Sequence, residues 1–244
     1  MSHAGRSGAG APPERRAPGA PQVVSVNVGR PREHPWNGTT VRTGIFKRPV
    51  PDAVRVARLN LDGDGQADAS VHGGEAKAVY AYPAEHYDAW RAEVGEQAWG
   101  AFGENLTTTG LVETATRIGD RLRVGTAELV VTQPRLPCYK LELRFGRPGL
   151  SKHFLERGLT GFYLSVAVEG TVQAGDRIEL VGRAAHTVTV ADVVRLYQAE
   201  GREDLEAVRR VCELADLPER VRRHFRKVLA AREGAAGPER AGGA

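Results

Sequence analysis

Regular hydrophobic alternation begins at Gln22, where QVVSVNVG reads as a short strand closed by Gly29. RPREHPWNGTT follows as a loop in which Asn37-Gly38 marks a turn, and VRTGIFKRPV reads as a second strand ending at prolines. VRVARLNLDGDG is a strand running into a Gly/Asp turn. In AKAVYAYPAEHYDAWRAEVG an apolar strand through Val79 and Tyr80 gives way to a helix starting near Pro83, with Tyr87 and Trp90 available to a core face. RIGDRLRVGTAELVVTQP and VQAGDRIELVG each set a Gly-Asp turn before an alternating apolar strand, a pattern that suits hairpins of a small closed or partly closed barrel.

Beyond Arg183 the pattern turns helical. TVADVVRLYQAE, EDLEAVRRVCELA and LPERVRRHFRKVLAAR are three short amphipathic segments, with Asp216 and Glu219 spaced as a capping box for the last. Cys212 falls on an apolar stripe with Val208 and Leu205, which reads as packing. The expected organisation is a disordered tail over 1–21, a mainly β domain over 22–183, a small three-helix domain over 187–233 and a second disordered tail from 234.

Composition changes this picture little. A chain of 244 residues can bury a real core without disulfides. Its two cysteines, Cys138 and Cys212, give neither a disulfide framework nor the paired spacing of a structural zinc or iron-sulfur site, which suits a reduced, cytoplasmic protein. The first twenty residues are rich in Gly, Ala, Pro and Arg without the apolar stretch of a signal peptide, and nowhere do about eighteen apolar residues run together as a membrane span requires. The net charge of +4 favours anionic ligands slightly. The last helical segment carries Arg220, Arg222, Arg223, Arg226, Lys227 and Arg232, but no recognition-helix signature and no aromatic-interleaved basic strand accompanies them. A solvated face therefore outweighs nucleic-acid binding.

Three loops carry candidate chemistry: VHGGEAK with His72 and Lys77, AFGENLTTTG with Glu104 and Asn105, and QPRLPCYK with Arg135 and Cys138. Gly73-Gly74 suits either close backbone approach to an anion, with Lys77 and Arg135 neutralising phosphate, or a plain tight turn beside solvated basic residues. His72 fits a ligand, a proton carrier or a structural histidine. Cys138 sits between Pro137 and Tyr139 with Arg135 and Lys140 close in sequence, conditions that favour a thiolate, nucleophilic or metal-binding; a buried structural thiol fits equally well. DGDGQADASVHGG, with Asp62, Asp64 and Asp68, departs from a calcium loop because glycine stands at the fourth position and Gly73 at the twelfth.

HGGEAKAVYAYPAEHYDAW, FGENLTTTGLVE, IGDRLRVG, QPRLPCYKLELRFG and GLTGFYLSVAVEGTVQAGDRIEL together resemble the successive motifs of the MOSC domain, the module named after the C-terminal part of molybdenum cofactor sulfurases. The run from about Val23 to Leu229 resembles its YiiM-like branch, three-helix extension included. The resemblance implies a β-barrel domain with peripheral helices that binds a molybdopterin-type molybdenum cofactor, with Cys138 giving a thiolate to the metal. It further implies that His72, Gly73, Gly74, Lys77, Arg135, Lys140 and Arg144 surround the cofactor, and that Asn105 positions substrate or an oxo group with Glu104 as a structural or proton-handling neighbour. The implied reaction is reduction of N-hydroxylated compounds, hydroxylaminopurines or amidoxime-like molecules, by oxygen-atom removal at molybdenum. With no iron-sulfur cysteine set and no dinucleotide fingerprint, the two electrons are expected from a separate reductase or small electron carrier. Competing readings are a cofactor or sulfur carrier using a Cys138 persulfide, and a basic nucleic-acid-binding protein; a homodimer is compatible with all of them.

Overall fold

The computed structural model describes residues 20–67, 73–199 and 204–235. The expected tails lie wholly or in most part outside the described residues, as do His72 and Asp68. In chain order the elements are β1 (Gln22–Val28), β2 (Arg32–Trp36), β3 (Thr39–Thr43), β4 (Arg48–Val50), β5 (Val54–Val56), a 3-10 turn (Glu75–Lys77), β6 (Val79–Pro83), α1 (Glu85–Val94), β7 (Leu106–Thr109), β8 (Arg121–Val124), β9 (Ala127–Pro134), α2 (Tyr139–Phe145), α3 (Leu150–Glu156), β10 (Phe162–Val168), β11 (Gly170–Val172), β12 (Ile178–Gly182), α4 (Val190–Gln198), α5 (Leu205–Glu213) and α6 (Glu219–Ala235).

Eight strands form one sheet in the order β12-β8-β9-β10-β6-β7-β1-β4. Only β6 and β7 run parallel, because α1 carries the chain over between them, as a parallel pair requires. Two short pairs, β5 with β11 and β2 with β3, complete the strands. The loop expected around Asn37-Gly38 is a full hairpin: both residues take positive φ, 46° and 76°, the twist that joins two right-handed strands through a two-residue turn.

The expectation of a mainly β barrel is corrected. Among the described residues the six helices take up as much chain as the twelve strands, so the fold is mixed α/β, and the sheet does not close. β1 and the start of β12 meet at the single bridge Gln22–Arg177, supported by bonds from Val23 N to Asp176 O (2.9 Å) and Ile178 N to Pro21 O (2.8 Å). A ladder cannot extend from there: Pro21 has no N–H to give, and β4 already takes the Val26–Val28 stretch of the β1 edge. The capping box also falls elsewhere. Thr189 and Asp192 cap α4 reciprocally, whereas Glu219 turns its carboxylate to Arg226.

Two buried clusters set the site. One runs from Val26, Leu106, Leu129, Val131 and Leu164 in the sheet through Val190 and Val193 of α4 to Val208, Val211 and Phe225. Tyr80, Tyr82, Trp90, Phe102, Leu141 and Phe154 form the other, between the sheet and α1, α2 and α3. Its polar tips are satisfied: Trp90 Nε1 donates to Tyr82 Oη (2.9 Å), and the Tyr80 and Tyr82 hydroxyls donate to the carbonyls of Thr160 and Leu159. Among the described residues no helix is long and apolar enough to cross a membrane.

Candidate active site

Pro134 ends β9, and the extended segment that follows carries Arg135, Leu136 and Cys138 along the rim of an open cleft. The backbone of Cys138 begins α2: its carbonyl accepts from Leu141 N (2.9 Å) and from Ser151 Oγ of α3 (2.8 Å). Its side chain makes no capping bond, so the half-buried thiol lines the cleft with its backbone pinned by two helices. Lys77, from the turn before β6, and Lys140 line it as well. Burial holds the Lys77 amine below its usual value, with Arg220 of α6 adding to this and Cys138 opposing it. The cleft is open to solvent, with about 720 Å³ of free space counting its mouth.

Arg135 supplies the clearest electrostatic statement. Its guanidinium is buried, packed over the rings of Tyr80 (5.5 Å) and Phe154 (5.2 Å), and among the described residues its Nη1 has no hydrogen-bond partner. One donor of a buried guanidinium left without an acceptor costs about 1–3 kcal/mol unless a ligand answers it.

The opposite wall holds a pair that reading the motifs missed. Lys47 Nζ contacts Asp64 Oδ1, with the two side chains 8% and 4% exposed, and both residues line the cleft. Asp64 is fixed further by Gly29 N on Oδ1 (2.9 Å) and Asn105 Nδ2 on Oδ2 (2.9 Å). Burial pushes the Lys47 amine down, and Asp64 pulls it part of the way back. Asp64 was visible only as a poor calcium ligand, and no spacing rule connects it with Lys47. The signals in sequence mark each one singly, a lysine next to apolar Phe46 and an aspartate in an Asp-Gly turn.

Other sequence candidates fall differently. Asn105 lines the cleft, but its amide is committed: Oδ1 accepts from Tyr80 N (3.0 Å), and Nδ2 donates to Asp64 and to Asn27 O (3.3 Å). Glu104 is fully buried behind the wall, where its carboxylate accepts from Gly100 N, Phe102 N, Thr107 Oγ1 and the Tyr87 hydroxyl. Arg144 sits over Phe46 and Phe145, off the cleft. Gly74 takes φ 89° and gives its N–H to Gln66 Oε1 (3.1 Å), so the Gly73-Gly74 turn anchors the segment bearing Lys77. His72 lies outside the described residues.

A half-open mixed sheet with a thiol and several basic side chains on one cleft goes with a shared ancestry: the chain belongs to the MOSC domain family, whose pattern matches residues 68–179. It is 41% identical to the uncharacterized protein YflK of Bacillus subtilis, over 84% of this chain and 93% of that one. Protein YiiM of Escherichia coli is 38% identical over 71% of this chain and 77% of its own. A protein named "Reductase" from Gibberella moniliformis is 33% identical over 72% of this chain but only 32% of its own length. The crystal structure of YiiM from Geobacillus stearothermophilus superposes with a TM-score of 0.73 at 35% identity, covering 86% of this chain and 99% of that one.

The residues present fit a molybdopterin-type cofactor. Among the described residues no three His, Cys, Asp or Glu side chains gather to hold a metal ion, so a metal in this cleft would bring most of its own ligands and take one thiolate from the protein. The unpartnered Arg135 Nη1, with Lys77 and Lys140 on the same cleft, suits the phosphate end of such a group.

Proposed function

We propose that this cleft binds a molybdopterin-type molybdenum cofactor with Cys138 as the protein ligand, and that the protein reduces N-hydroxylated compounds, hydroxylaminopurine or amidoxime-like, to the corresponding N–H compounds. The observation that carries the reading is the buried Arg135 Nη1, unpartnered on the same cleft as the Cys138 thiol. The cofactor, when bound, would supply oxygen abstraction and two-electron redox chemistry. The protein's share is placement and charge. Arg135, Lys77 and Lys140 answer the anionic end, the two-helix grip on the Cys138 carbonyl holds the backbone that carries the thiol, and Tyr80 and Phe154 cover the guanidinium.

Converting R–NHOH to R–NH2 and water consumes two electrons and two protons. Lys47 is the proton donor facing the cleft: its ammonium has three N–H bonds and one fixed acceptor, Asp64, and burial moves its acidity toward the operating range. Asn105 acts through Asp64 as a positioning residue. The electrons come from a separate reductase or carrier, a division consistent with the fungal relative named "Reductase", two thirds of which lies outside the match.

The test is molybdenum analysis and pterin fluorescence on wild type and Cys138→Ala, both purified from a host that makes the cofactor. Near-stoichiometric metal and pterin in wild type, with metal lost from the variant, is expected. A folded wild type that carries neither component overturns the reading, and a persulfide on Cys138 in that protein would replace it with the sulfur-carrier function.

A further inference from the structure

A second pocket lies back to back with the cleft. Its walls are the end of β1 (Val28 and Gly29), Arg30, β2 (Arg32 and His34), Phe46, Arg48 of β4, and Gly63. The loop between β3 and β4 serves both faces, since Ile45 and Lys47 line the first cleft while Phe46 and Arg48 line this one. Three arginines and a histidine thus converge with no acidic side chain among the lining residues. Most other exposed arginines here are paired, as Arg55 with Glu169, Arg123 with Glu128 and Arg226 with Glu219 are, whereas Arg30, Arg32 and Arg48 reach no carboxylate among the described residues. Independently, His34 is stacked on Phe46 with ring centroids 4.0 Å apart, and its Nε2 is shielded from solvent and has no partner among the described residues. Gly29 allows the close floor: a Cβ there would stand 2.7 Å from Phe46 O.

We propose that this pocket is a second anion site, built for a phosphate ester or diphosphate group. The arginines offer forked donors that suit phosphate oxygens, and His34 adds a ring that lines the same pocket. The site is independent of the molybdenum reading, because none of its side chains lines the Cys138 cleft.

Pyrophosphate titrated calorimetrically into the full chain tests it, on wild type and on Arg32→Gln, Arg48→Gln and Lys77→Gln, each checked for an unchanged thermal transition. Wild type is expected to take up a saturable equivalent of pyrophosphate that each arginine variant weakens at least tenfold and Lys77→Gln leaves in place. Binding that never saturates, that survives Arg48→Gln, or that only Lys77→Gln removes overturns the proposal. A phosphate monoester that displaces pyrophosphate from the Arg48-dependent equivalent would identify the ester as the ligand; pyrophosphate binding that no monoester displaces would identify the diphosphate.

Discussion

At the scale of single residues, Lys47 and Asp64 make the sharpest case. Each charge is tolerable in the wall because the other is there, so Asp64→Asn leaves an ammonium buried without its counter-ion and should cost about 3–5 kcal/mol in a denaturant titration. Lys47→Met with Asp64→Asn together should cost distinctly less than the two single changes added, and simple additivity would show that the pair is not coupled. The lowered Lys47 pKa sets a sign for pH. Between its folded value and 10.5 the unfolded chain binds a proton that the native chain does not, so stability rises with pH through that window and the gain is lost as pH falls through the folded value. Lys47→Met should flatten that part of the stability curve; a curve of unchanged slope would refute the assignment. The pairing itself is not legible in sequence, because the contact spans seventeen positions with β4 and β5 between the two residues. Cys138, Lys77, Arg135 and Lys140 stand out in motifs and do share one cleft, yet Glu104 and Asn105, equally prominent, have their polar atoms taken by the backbone and by Asp64. A motif shows that a polar residue is needed; only the tertiary hydrogen bonds show whether it faces a ligand.

At the scale of elements, α2 and α3 decide where the thiol sits. Both are seven residues long, two turns each, too short to display helical periodicity, which is why the stretch after Cys138 gives no helix signal on inspection. They hold position by packing: Leu141, Leu150 and Phe154 are buried against Tyr82, Trp90 and Phe102. Phe154 also underlies Arg135, so Phe154→Ala should cost about 3–5 kcal/mol and loosen the guanidinium together with the Ser151 grip on Cys138. The measurement is paired: urea unfolding for stability, and the rate of Cys138 alkylation by iodoacetamide in the native protein. Faster alkylation beside the stability loss is expected. An unchanged rate would mean that the helix pair does not control the thiol.

At the scale of the molecule, the division into a 22–183 unit and a 187–233 unit remains a proposal about organisation, and the packing bears on whether the two are energetically independent. The segment between them is clamped to the loop before β8: Ile118 N donates to Val188 O, Val190 N to Thr116 O, and the Arg117 guanidinium to the carbonyls of Ala184 and His186. α4 then buries Val190, Val193 and Leu196 in the same apolar cluster as Leu129 and Val131 of β9, with Val208, Val211 and Phe225 continuing it into α5 and α6. Burying one such aliphatic or aromatic side chain contributes about 1.5–3 kcal/mol, so the helices and the sheet each hold a sizeable part of their stability in common. One cooperative transition follows. The three tryptophans, Trp36, Trp90 and Trp99, all lie on the sheet side and report it alone, while far-UV circular dichroism reports the helices too. The two signals should fall together on heating, and Phe225→Ala, remote from every tryptophan in sequence, should lower the fluorescence midpoint as much as the dichroism midpoint. A fluorescence transition left in place while the dichroism shifts would show a three-helix unit that melts by itself, and the proposed division would then be an energetic boundary as well as a change in sequence pattern.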